Sequence, residues 1–262
     1  MNKRELLKNL LKQAKSENLF IGSGNPDSNI LIVGKEASIS EDNKEQIERE
    51  ITVSIEQWER DIDKQLSEVD YRGMFSPLYP YKGQLKKRDS NIRNPKAEYN
   101  WGTSVTWLNY QKVRDSILET NSDIINFHEN CFITELNQIT SRYSSHQNND
   151  NGERSAMINK RLKTVFTSDY IQSFPVVIMA CGTYVRQFGI NIEKLFGVEQ
   201  NQELKCVPGN NRQWYRVYHN LSGESPKLVI HTRQMSMNVT NALIEMIGKE
   251  ISSFCKKNNI SL

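Results

Sequence analysis

The chain predicts an α/β fold in three layers: a central four-stranded, mostly parallel sheet, helices on both faces, and a small hairpin insertion. Three observations predict it. Short apolar runs alternate with longer stretches whose apolar residues recur at steps of three or four. The clearest run, Ile30 to Val33, has four consecutive branched aliphatics, which suits a strand buried on both faces. Each run also stops abruptly at glycine or at polar residues, as strands do where their carboxyl ends open onto a ligand crevice.

Taken in order, residues 3 to 17 carry Leu6, Leu7, Leu10, Leu11 and Ala14 at helical spacing, an amphipathic first helix. Gly22, Gly24, Asn25 and Pro26 break it before the strand at Ile30, which ends at Gly34 and hands over to Lys35 and Glu36. A long helix is expected from Ser40, because Glu41 and Asp42 suit a first turn and Ile47, Ile51, Ile55, Trp58, Ile62 and Leu66 form one stripe. Residues 70 to 103 show no periodicity. They mix Tyr71, Phe75, Tyr79, Tyr81, Tyr99 and Trp101 with Lys86, Lys87, Arg88, Arg93 and Lys96, in a loop long enough to be functional or mobile.

Trp107, Leu108, Val113, Ile117 and Leu118 mark the next helix, and Cys131 to Leu136 the second strand, which ends near Glu135, Asn137 and Gln138. Ser144 to Gly152 reads as a polar loop. Met157 to Phe166 is helical, Pro175 to Gly182 is the third strand, and a helix is expected over Tyr184 to Phe196. Gly209-Asn-Asn211 between two short extended runs is the hairpin signal. Lys227 to His231 is the fourth strand, and Val239 to Phe254 a closing helix.

At 262 residues, with 37% hydrophobic and 25% charged composition, the chain can bury one core, and one domain is expected. A net charge of +3 permits a local nucleic-acid surface without demanding one. The apolar runs fall short of a membrane span, so a soluble cytoplasmic monomer is the expectation. The four cysteines include no CxxC pair, which favours free thiols over disulfides or a metal cluster, and neither cofactor nor metal is expected. A parallel sheet would gather Lys35, Glu36, Glu135, Asn137, Gly182 and His231 along one edge, so Glu36 and His231 would face one site although far apart in sequence.

These residues carry a resemblance. The turn Gly34-Lys-Glu-Ala-Ser38 after the first strand and His231-Thr-Arg-Gln-Met-Ser236 after the last look like the uracil-DNA glycosylase superfamily, whose first turn reads Gly-Gln-Asp-Pro-Tyr or Gly-Glu-Ala-Pro-Gly and whose last reads His-Pro-Ser-Pro-Leu-Ser. Gly73-Met-Phe-Ser76 and Phe132-Ile-Thr-Glu-Leu-Asn137 are similar to two further segments of that family. The match runs over about residues 20 to 250 through short motifs. It departs from the pattern where Ala37, Thr232 and Gln234 replace prolines and Ser38 replaces a tyrosine.

The resemblance implies cleavage of the N-glycosidic bond of uracil or a related base flipped out of DNA, which is reachable only outside the stack. Glu36 would stabilise positive charge on the sugar and orient the attacking water, while His231 would donate to the departing base. Gly34 and Lys35 would line the base pocket, Phe75 would stack on the base, and either Glu135 or Asn137 would read its edge. Met235 would be the wedge filling the vacated stack, with Ser38, Arg233 and Ser236 on phosphates. Lys86, Lys87 and Arg88, interleaved with aromatics, suit DNA that is single-stranded or a damaged duplex. The alternative is a catalytically silent protein of the same fold that binds nucleic acid or a nucleotide.

Overall fold

The computed structural model describes residues 2–69, 75–80, 104–141, 152–201, 204–220, 225–236 and 238–262. Most of the aromatic and basic loop, with Lys86, Lys87 and Arg88, lies outside the described residues, as does most of the polar Ser144 to Gly152 stretch.

Four parallel strands form the centre of the sheet: β3 (Cys131–Glu135), β2 (Ile30–Gly34), β4 (Val176–Met179) and β8 (Lys227–Thr232), side by side in that order. Their register is even: Val33 pairs with Thr134 on one side and Met179 on the other, and Met179 pairs with His231. All carboxyl ends therefore reach the same edge. The count of four strands is corrected to eight among the described residues. β1 (Ser23–Gly24) runs antiparallel to β3, while β5 (Glu199–Gln200) and β6 (Lys205–Val207) both pair with β7 (Asn210–Asn220). Two-residue strands are too short to leave a period in sequence. The predicted hairpin is part of the sheet, because six residues of β7 pair with β8.

β2 is buried along its whole length, as four branched aliphatics require. Leu31 and Val33 face one layer with Phe132, Val177, Met179 and Val229, and Ile30 and Ile32 face the other with Ile133, Val176, Ile178 and Ile230. Each such side chain contributes about 1.5–3 kcal/mol on burial. The first layer is covered by α1 (Lys3–Glu17), α3 (Ser54–Asp61), α5 (Glu153–Thr164) and α6 (Asp169–Gln172). The second is covered by α4 (Val105–Leu118) and α9 (Asn241–Lys257), which also pack on one another.

The single long helix expected from Ser40 is corrected. Asn43 caps the amide of Gln46, so α2 (Lys44–Ile47) begins later, and a π-helical turn over Glu48–Thr52 separates it from α3. The Gln57 amide donates to the Arg49 carbonyl at 2.8 Å, compensating the altered ladder. The helix expected over Tyr184 to Phe196 is likewise two pieces, α7 (Tyr184–Gln187) and α8 (Ile192–Phe196), with Asn191 capping the second through the Lys194 amide. No helix among the described residues is long and apolar enough to cross a membrane.

Candidate active site at the carboxyl edge of the sheet

The turn after β2 is held by backbone bonds that continue the β2–β3 ladder past the strands. Leu136 N–H donates to Gly34 O at 2.9 Å, Asn137 N–H to Lys35 O at 2.8 Å, and Ser141 N–H to Ala37 O at 3.2 Å. So fixed, the turn carries Glu36 inward until it is only 7% exposed, with neither carboxyl oxygen in full hydrogen-bond geometry. A sealed carboxyl group in that condition costs free energy unless a ligand or water completes it.

Cations and a phenol surround Glu36. The Lys35 ammonium lies 4.5 Å from the centre of the Tyr184 ring; burial pushes it down and the charge of Glu36 opposes that shift. Tyr184 accepts a hydrogen bond from Arg154 at 3.0 Å. Its phenol is pushed well above its ordinary range, by burial first and then by the neighbouring Glu36 carboxylate.

Glu135, at the end of β3, brings a second carboxyl group. It lies across the bare face of Gly34, where a Cβ would stand 2.0 Å from Oε2, and that oxygen is itself sealed without a hydrogen bond. Burial first, and then the charge of Glu36, push Glu135 up to about 8, with Arg161 opposing. Near neutrality Glu135 is therefore largely a protonated acid, presenting one donor and one acceptor as an amide does. Arg161 anchors it from behind, donating to Glu135 O at 2.8 Å, to Thr134 Oγ1 at 3.0 Å and to Phe20 O.

His231 approaches from β8, 8% exposed, with Nε2 at 2.9 Å from Gly182 O. A carbonyl only accepts, so Nε2 carries the proton and Nδ1 is left as an acceptor. Burial pushes the ring down, the Gly182 bond opposes, and the Arg216 cation adds to the lowering, which favours the neutral imidazole. This qualifies the expectation of His231 as a donor: its N–H is engaged in the protein. Gly182 itself has φ +53, and a Cβ there would stand 3.3 Å from Gln234 N and 3.7 Å from Lys35 Cε. The ends of β2, β4 and β8 thus meet at one glycine.

The other predicted residues divide. Asn137 is fully buried, and its amide donates to Ile139 O at 3.2 Å and accepts from Ile139 N–H at 3.1 Å, closing its own turn. Of the two residues considered for reading a base, Glu135 is the one whose carboxyl group adjoins Glu36. Phe75 sits with the Arg49 guanidinium 6.0 Å from its ring centre and its carbonyl on Arg60, against the helices before it. Met235, expected as a wedge, is 1% exposed within the apolar layer under α4 and α9. Arg233 donates to Arg212 O and Asn238 O, Ser236 offers its carbonyl to Asn109, and Ser38 is exposed.

Tyr184, Arg154, Trp214 and Arg216 were not singled out as site residues. Tyr184 had a signal, its place two residues after Gly182 in the turn that follows β4; Arg154, more than a hundred residues from Glu36, had none. No group of metal-holding side chains occurs among the described residues. Comparison of the chain with protein-family models, curated proteins and solved structures found no match.

Proposed function

We propose that this edge hydrolyses the N-glycosidic bond of a uracil-like base held out of the DNA stack. The observation that carries the reading is Glu36, a buried carboxyl group set beside the Tyr184 phenol and the Lys35 ammonium at the carboxyl ends of parallel strands. Water attacks C1′ of the sugar as the bond to the base breaks; a C1′–OH bond forms and the base leaves with the electron pair and gains a proton. Glu36 orients the water and offsets positive charge on the sugar. Protonated Glu135 offers the departing base a donor and an acceptor, the pattern that complements the adjacent acceptor and donor of a uracil edge. Lys35 and Arg154 supply positive charge for the phosphodiester or the base anion.

A second reading, binding without hydrolysis, is favoured by the engaged His231 N–H, which must leave Gly182 before it can donate elsewhere. Incubation with oligonucleotides carrying uracil and a panel of damaged or mismatched bases separates the two. Alkali-labile abasic product from the wild-type chain, lost in Glu36→Gln, supports hydrolysis. Binding with no product from any base supports the second reading.

A further inference from the structure

The strand β7 is longer than its partner. Its pairing with β8 begins at Tyr215 opposite Thr232, the last residue of β8, so Asn210 to Trp214 continue beyond the carboxyl edge of the parallel strands with β6 as their one strand neighbour among the described residues. This overhang borders the site. The Trp214 indole meets the His231 ring edge-on at 5.0 Å, and Arg216 stands directly opposite His231 in the ladder. Strand alternation puts Trp214 and Arg216 on one face, and Arg212 is exposed near the tip.

The overhang is braced. Pairing shifts between Cys206 and Val207, a bulge that packs extra residues of β7 against β6, and the turn is closed by Gly209 at φ +75. Gln213, buried in the bulge, donates to Asn238 O at 2.6 Å and accepts from Thr240 N–H at 3.1 Å. Arg233 donates to Arg212 O. An aromatic ring and the Arg233 guanidinium are thus held at the rim of a crevice, with Arg212 exposed beside them and Arg216 reaching Gln200 Oε1 at 3.5 Å, while the Glu250 carboxylate is spent on Lys205 and Tyr215 and Glu193 on the Gln200 amide.

We infer that the β6–β7 overhang is a docking surface for a single strand of DNA, with Trp214 stacking on an unpaired base and Arg212, Arg216 and Arg233 taking the flanking phosphates. A partly exposed indole is sequence-tolerant because every base has a π face, and cations along the same strand form a positive track for the backbone. The surface deepens the proposed function, since it would hold the strand beside the flipped base, and it rests on that reading only for the identity of the ligand.

Fluorescence anisotropy with a short labelled oligothymidylate tests it on the full chain. Trp214→Ala is expected to weaken binding about tenfold or more without changing the salt dependence, and Trp214→Phe to retain most of it. Arg212→Gln with Arg216→Gln should lower the salt slope by about 0.7 for each cation removed. Arg212 is exposed, so Arg212→Glu, which should weaken binding further, leaves folding intact and guards against a collapsed hairpin. Wild-type affinity in all the hairpin variants overturns the docking surface, even if abasic product is still formed. Hairpin-dependent binding with no abasic product from any base overturns hydrolysis and leaves the docking surface standing. Absence of oligonucleotide binding by the wild-type chain overturns both.

Discussion

Glu135 lays its carboxyl group over Gly34, where even one methyl group would stand 2.0 Å from Oε2. The two residues pair across β2 and β3, so the missing Cβ of one makes the room for the acid of the other. Gly34→Ala is therefore expected to displace Glu135 and destabilise the fold by about 1–3 kcal/mol, as overpacking does. Urea unfolding checks it, and Gly34→Ala combined with Glu135→Ala should recover most of the loss. Equal loss in the single and double variants would count against the contact.

Glu135 also predicts a pH dependence. Its proton affinity in the folded chain, about 8, exceeds the ordinary 4.5, so between these values the folded state holds more proton than the unfolded one. Stability from this group is present below about 4.5 and is lost as pH rises toward 8. Each unit is worth at most about 1.4 kcal/mol. Thermal melting at a series of pH values should show Glu135→Gln losing less stability than wild type across that window.

The Arg216 cation is one cause of the lowered His231 ring. Because the folded ring binds a proton less readily than an unfolded histidine, stability falls as pH drops below about 6.5. Arg216→Gln should move the His231 titration upward, read by NMR of the ring protons. A downward movement would place the cation elsewhere.

Arg161 is fully buried and holds the ends of two segments through Phe20 O, Glu135 O and Thr134 Oγ1. Arg161→Ala leaves these acceptors unpaired in the interior and is expected to cost about 3–5 kcal/mol. Arg161→Lys should recover part of this, since one ammonium cannot reach acceptors that a planar fork spans. Denaturant midpoints would order the three chains.

Met235 and Asn137 show how far a motif is from a side-chain position. Both follow strands within motifs that suggest contact with DNA, yet one is buried in the apolar layer under α4 and α9 and the other closes its own turn. A motif gives residue types; the direction of a side chain after a strand ends depends on turn bonds such as Leu136 N–H to Gly34 O, which no local period reports. The broken helix after Ser40 has the same origin, since the apolar stripe in the sequence runs on through the π turn over Glu48–Thr52, which the Gln57 side chain braces at Arg49 O.

The sequence by itself determined the four parallel strands, both buried faces of β2, and the edge on which Glu36 and His231 stand, because apolar periodicity and strand ends are local properties of the chain. Tertiary structure alone decided that the Glu135 carboxyl group lies near Glu36, that Tyr184 and Arg154 complete its surroundings, and that β7 overhangs the crevice. Those relations join residues far apart in the chain, and they are set by packing, by the clearance that one glycine leaves, and by the unequal lengths of paired strands.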